Sequence, residues 1–141
     1  YVGVGYLRAP DLPDQAPGFS LVDLDGQRVE LASLQGQTVV LNFWATWCGP
    51  CRMEIPAFSD FAEDNPDIPV LGIATDGDAQ SLRAAAEQLG IRYPVLIADA
   101  ATVDAYKVDT IPTTVVVGPD GEVESVHVGV MTRPQLWWAT R

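Results

Sequence analysis

Cys48-Gly49-Pro50-Cys51 sets two thiols three residues apart around a turn-forming Gly-Pro, and no other cysteine occurs in the 141 residues. If Cys48 is the N-cap of a helix, Gly49, Pro50 and Cys51 form its first turn, and Pro50 sits where its missing N–H does no harm. An N-cap side chain accepts a hydrogen bond from the second or third helical N–H. Pro50 has none, so the Cys51 N–H is the natural partner for a Cys48 thiolate. Together with the positive end of the helix dipole, this favours ionised sulfur and lowers the Cys48 pKa. Only a thiolate attacks a disulfide, so the spacing predicts an exposed Cys48 as nucleophile and a more buried Cys51 as the resolving thiol. The plain alternative is two cysteines that merely pack, although Gly-Pro suits a turn better than a core. Two cysteines are too few for a disulfide framework, and with one histidine they fall short of the four ligands of a structural zinc site.

The pair needs a strand before it and a helix after it. Thr38–Trp44 is a continuous β-prone run, the pattern of a strand covered on both faces. A helix follows from Gly49 to about Glu63, carrying Met53, Ile55, Phe58 and Phe61, with a kink expected at Pro56. Ile68–Ala74 reads as the next strand, and strand, helix and strand make a right-handed βαβ unit. Asp78 looks like an N-cap, Leu82, Ala85, Ala86 and Leu89 recur at helical spacing, and Gly90 suits the left-handed residue beyond. Tyr93–Ala98 reads as a strand and Ala101–Tyr106 as one or two helical turns. Thr113–Val117 and Glu122–Val128 form a hairpin through Pro119-Asp120-Gly121. Thr132 and Pro134 open a last helix carrying Leu136, Trp137 and Trp138, whose two indoles cannot both face inward. Upstream, Phe19–Leu31 with an Asp25-Gly26 turn predicts a β-hairpin added to a sheet edge, and Tyr1–Gln15 reads as a leader or linker. Residues 16–141 then form one domain of α/β class, a mixed central sheet with helices on both faces and an added N-terminal hairpin.

The run Val39-Val40-Leu41-Asn42-Phe43-Trp44-Ala45-Thr46-Trp47-Cys48-Gly49-Pro50-Cys51 resembles the active-site strand and helix start of thioredoxins. Arg52-Met53-Glu54-Ile55-Pro56, Ala16-Pro17-Gly18-Phe19-Ser20-Leu21, Tyr93-Pro94-Val95-Leu96 and Ile111-Pro112-Thr113-Thr114 are closer to the TlpA/ResA-like branch. The resemblance covers roughly residues 16–129. It implies the thioredoxin-like fold and a bacterial extracytoplasmic reductant of protein disulfides, membrane-tethered or secreted and sometimes serving cytochrome c maturation. It also implies an upstream, membrane-bound thiol donor that restores the dithiol. Any anchor or signal segment would precede Tyr1.

Thioredoxins carry a buried Asp where this chain has Asn42, and Asn cannot ionise. By resemblance Glu54, one turn past Cys51, takes over the proton exchange if it is partly buried; otherwise it is an exposed carboxylate favoured by the helix dipole. The resemblance also makes Ile111–Pro112 a cis peptide bond beside the disulfide, where the loop backbone pairs with an extended substrate. Periodicity alone would make Pro112 a strand-start residue with a trans bond. Trp47, Gly49, Pro50, Ile111 and Pro112 are thus the candidate substrate contacts, Trp47 with a rim-packing role as the alternative. His127 reads as a solvated or hydrogen-bonded strand residue, and Asp60, Glu63, Asp64 and Asp67 as a solvated helix end.

Two other enzyme readings and one binding reading stand beside disulfide reduction. An oxidase or isomerase shares the fold and the pair at a higher potential, and by resemblance Gly-Pro between the cysteines favours the reducing side. A peroxiredoxin needs P-x-x-x-T-x-x-C, but Thr46 is one residue too close to Cys48 and position 42 is Asn. A copper-delivery module would use Cys48, Cys51 and Met53 or His127, with no motif around His127. A net charge of −11 offers no basic stripe for nucleic acid, and no apolar run approaches the roughly 20 residues of a membrane helix. Dithiol chemistry calls for no cofactor and no metal.

Overall fold

The computed structural model describes residues 9–141, so the first eight residues of the expected leader lie outside the described residues. The remainder of that segment runs along the domain: Leu12 packs against the core, and the Asp14 carbonyl accepts from the Val123 N–H. Ser20–Val22 (β1) and Arg28–Glu30 (β2) pair antiparallel. They form a sheet of their own instead of extending the main one, which they meet through a single bridge from Asp23 to Leu96. The Asp23 carboxylate accepts from the Asp25 and Gln27 N–H groups, closing the turn so tightly that only three residues a side remain to pair. A single 3₁₀ turn, Leu31–Leu34, follows, with Leu31 buried.

Val39–Trp44 (β3) is buried along its whole length, as its unbroken apolar pattern requires. Gly49–Asp64 (α1) runs through Pro56 without ending. Then come Val70–Ala74 (β4), Ala79–Leu89 (α2), Val95–Ile97 (β5), Ala100–Ala105 (α3), Thr113–Val117 (β6), Val123–Val128 (β7) and Arg133–Ala139 (α4). The main sheet has the order β5-β4-β3-β6-β7, its first three strands parallel and the last two antiparallel to their neighbours. Local chemistry sets the helix ends. Asp78 and Thr132 cap α2 and α4 with reciprocal boxes, and Gly90 ends α2 at φ 67°.

Alternation along β3 sorts the core. Val39, Leu41 and Phe43 face Leu21, Ile73, Leu96 and Tyr106, whose hydroxyl donates to the Pro17 carbonyl at 2.6 Å. Val40 faces Phe58, Phe61 and Leu136 under α1 and α4. Trp44 packs with Ala45, Cys48, Cys51, Ala74 and Leu82. The expected solvated helix end carries exposed ion pairs: Arg92 to Asp60 and Glu63, and Arg133 to Asp64. Both Trp137 and Trp138 are exposed, stacked edge-on with each other, and Arg141 lies over Trp137. No helix of the described residues is long and apolar enough to cross a membrane.

Candidate active site

At the end of β3 the chain must leave the sheet and start a helix within four residues, and β4 holds it while it does. The Trp44 carbonyl accepts from the Thr75 N–H at 2.8 Å and the Thr75 hydroxyl at 3.0 Å. Asp76 takes the Thr46 N–H at 3.0 Å and the Thr46 hydroxyl at 2.6 Å. Trp47 then projects into solvent, 72% exposed. Cys48 is the N-cap of α1, in extended backbone conformation, and its sulfur accepts from the Cys51 N–H at 3.2 Å. This is the bond expected from Pro50 lacking a donor.

Cys48 and Cys51 form a disulfide with their Cα atoms 5.3 Å apart. The expectation of an exposed Cys48 needs correction, since it is 3% exposed against 1% for Cys51. An N-cap side chain folds back over the first turn of its helix. The Ile111 carbonyl, 3.9 Å from the Cys48 sulfur, covers it from the other side. Exposed surface around the recessed pair comes from Trp47, Gly49 and Pro50, with Ile111 half-buried and Pro112 buried. The Ile111–Pro112 peptide bond is cis.

Glu54 stands one turn beyond Cys51 on the same face of α1 and is buried, 2% exposed, which removes the reading of a solvated helix-start carboxylate. Its Oε1 accepts from Asn42 Nδ2 at 2.7 Å and its Oε2 from the Met131 N–H at 2.9 Å. Asn42 Nδ2 also donates to Thr114 Oγ1 at 3.2 Å. Burial pushes the Glu54 pKa up to about 7, against the opposing pull of the Met131 and Asn42 bonds. Burial, and then the charge of Glu54, hold the neighbouring Tyr93 phenol above its ordinary value. The carboxyl is therefore poised to gain and lose a proton near neutrality, one helical turn past Cys51.

Thr114, Met131 and Asp76 are the site's residues that motif reading does not reach, and it reaches Asn42 only as a missing carboxyl, not as the partner of Glu54. The signal for Asn42 is the two-residue period of β3, which puts it on the α1 side with Val40 and Trp44. Thr114 follows from it, as the register partner of Asn42 across the β3–β6 ladder. His127 lies on β7 with a ring nitrogen 3.3 Å from the Val130 carbonyl, and Met53 is 73% exposed. Among the described residues no three His, Cys, Asp or Glu side chains gather as a metal site.

A family model described as the AhpC/TSA family matches residues 12–126. The thiol-disulfide oxidoreductase ResA of Bacillus subtilis (strain 168) is 35% identical over 126 residues, covering 86% of this chain and 69% of that protein. A thiol:disulfide interchange protein of the thioredoxin family from Chlorobium tepidum TLS superposes with a TM-score of 0.82 at 31% identity, over 94% of this chain and 97% of that one. A secreted Mycobacterium tuberculosis disulfide oxidoreductase, described as homologous to E. coli DsbE, superposes with a TM-score of 0.77 at 29% identity, over 86% and 93%.

Proposed function

The chain belongs to the AhpC/TSA family and is a thiol–disulfide oxidoreductase related to ResA; from that premise we propose that it works as a reductant of protein disulfides outside the cytoplasm. The observation that carries the mechanism is the stacking of three groups along one helix start: the Cys48 sulfur at the N-cap, Cys51 within the first turn and buried Glu54 one turn on.

In the dithiol form the Cys48 thiolate attacks one sulfur of a substrate disulfide, and the other sulfur leaves as a thiolate. Cys51 then passes its proton to the Glu54 carboxylate, and its sulfur attacks Cys48. The Cys48–Cys51 disulfide forms and the second substrate sulfur departs, so two electrons have passed to the substrate. Trp47, Gly49, Pro50 and the Ile111-Pro112 loop border the pair and receive the substrate chain, the loop backbone pairing with it as a strand does. A membrane-bound thiol donor runs the sequence in reverse to restore the dithiol.

The reducing direction is supported by Gly-Pro between the cysteines and the resemblance to ResA-like proteins. The extracytoplasmic site is supported by the secreted relative from Mycobacterium tuberculosis. By the same resemblance, the disulfide of an apocytochrome c, formed in the C-x-x-C-H haem-attachment segment, is the first substrate to try. The test is equilibration of the pair against glutathione and dithiothreitol buffers, with alkylation of free thiols as the readout. A potential well below about −220 mV supports the reductant, and one near about −120 mV overturns it in favour of an oxidant.

A further inference from the structure

The buried set around Glu54 is complete for one charge state only. With the carboxyl ionised, Oε1 accepts from Asn42 Nδ2 and Oε2 from the Met131 N–H, and the second Nδ2 proton goes to Thr114 Oγ1. Asn42 is 2% exposed and Thr114 1%, so water supplies little in their place. When Glu54 takes up a proton it becomes a donor, and both groups facing its oxygens are donors already. The Met131 N–H belongs to the backbone and cannot turn. The Asn42 amide can: half a rotation about its last side-chain bond brings Oδ1 to where Nδ2 stood. Both Nδ2 contacts then reverse together, because the Thr114 hydroxyl carries a proton as well as lone pairs and can donate where it accepted.

We infer that Asn42 is a positioning residue whose amide turns between two hydrogen-bonded orientations as Glu54 gains and loses the proton it exchanges with Cys51. The inference rests on the proposed role of Glu54 as that proton's carrier. The proton moves only between the Cys51 sulfur and a Glu54 oxygen; Asn42 and Thr114 exchange donor and acceptor roles without net gain or loss. An aspartate at position 42 would itself ionise and compete for the proton, whereas the amide serves both states without titrating. The titratable groups facing Glu54 are the Cys51 thiol of the dithiol form, on its own helix, and the Tyr93 phenol ahead of β5, which stays protonated. From β3 and the loop between β7 and α4 it meets the neutral Asn42 and Met131 amides, with Thr114 of β6 bonded to Asn42 behind them.

The experiment is nuclear magnetic resonance of the reduced, 13C- and 15N-labelled chain through a pH titration. Above the Glu54 carboxyl midpoint the Asn42 amide protons give cross-peaks to the Glu54 methylene protons, and below it these are lost, with the same midpoint. Cross-peaks that persist on both sides overturn the amide reversal while leaving the Glu54 role intact. Asn42→Leu removes the donor to the ionised form and, in the turned orientation, the acceptor for the protonated form. The bond to the charged carboxylate is the stronger, so the Glu54 midpoint moves up by no more than about half a pH unit, while resolution of the mixed disulfide at pH 7 slows roughly tenfold. A rise of about one pH unit or more in that variant, the mark of a donor lost to the ionised form alone, also overturns the inference. If Glu54→Gln leaves the pH profile of resolution unchanged, the Glu54 role itself fails and the inference falls with it.

Discussion

The Asp76 carboxylate holds Thr46 at both its backbone N–H and its hydroxyl, at 3.0 and 2.6 Å, and so ties the loop before Cys48 to the end of β4. Asp76→Ala removes both bonds and lowers stability by about 1–3 kcal/mol, with a slower attack of Cys48 on disulfides. Asp76→Asn keeps an acceptor for the N–H and stays close to the parent. Urea unfolding and single-turnover kinetics check this, and an alanine variant as stable and as fast as the parent would remove the clamp from the account.

Burial places Glu54 at about 7 in the folded chain against an ordinary 4.5, so the native state binds this proton more tightly than the unfolded state does. The stability this lends is present in full below pH 4.5 and is lost as the pH rises to about 7, a change of about 3 kcal/mol. Glu54→Gln cannot ionise, so its unfolding free energy lacks this fall. Denaturant titrations of both chains from pH 4 to about pH 8 measure the difference. The same variant slows resolution of the mixed disulfide at neutral pH by roughly 10²-fold and flattens its pH profile.

The N-cap position makes Cys48 the faster thiol to alkylate in the reduced chain, by roughly tenfold over Cys51 at pH 7. Cys51→Ser should accumulate a mixed disulfide with a peptide substrate, and Cys48→Ser should form none. Mass spectrometry after acid quenching distinguishes the two, and a mixed disulfide on Cys51 in the parent would reverse the assigned roles.

Gly72 lies on β4 where a Cβ would come 2.8 Å from a Tyr93 ring carbon and 3.2 Å from Trp44 Nε1. Both rings are buried, so neither has free space to move into. Gly72→Ala is expected to cost about 1–3 kcal/mol through overpacking. Because Trp44 shares one buried cluster with both cysteines, the variant should also shift the redox potential of the pair. A variant with parent stability and potential would mean that the rings yield more easily than their packing implies.

What was legible in the sequence was what is local in the chain. The N-cap bond of Cys48, the N-cap at Asp78, the helix start at Thr132 and the left-handed Gly90 each depend on residues within one turn of helix. The contacts around Glu54 do not: Asn42 is 12 residues away and Met131 77. They require knowing that β6 lies against β3 in the register that opposes Asn42 to Thr114. The recessed Cys48 escaped for the same reason, since its cover is the Ile111 carbonyl, 63 residues distant. The hairpin Ser20–Glu30 was legible as a hairpin but not as a separate sheet, because its placement depends on distant partners, Leu96 on β5 and Arg83 on α2.

That bridge has a counterpart at the other side of the main sheet. Asp23 meets Leu96 on β5, one outer strand, and Gln15 pairs with Glu122 at the approach to β7, the other. Open strand edges are templates on which a second chain can add itself, and proteins commonly obstruct them. Here a single stretch of chain ahead of β3 touches both borders, at one point each, so trimming it would bare more of two adhesive borders at once and make a redox domain more prone to edge-to-edge aggregation.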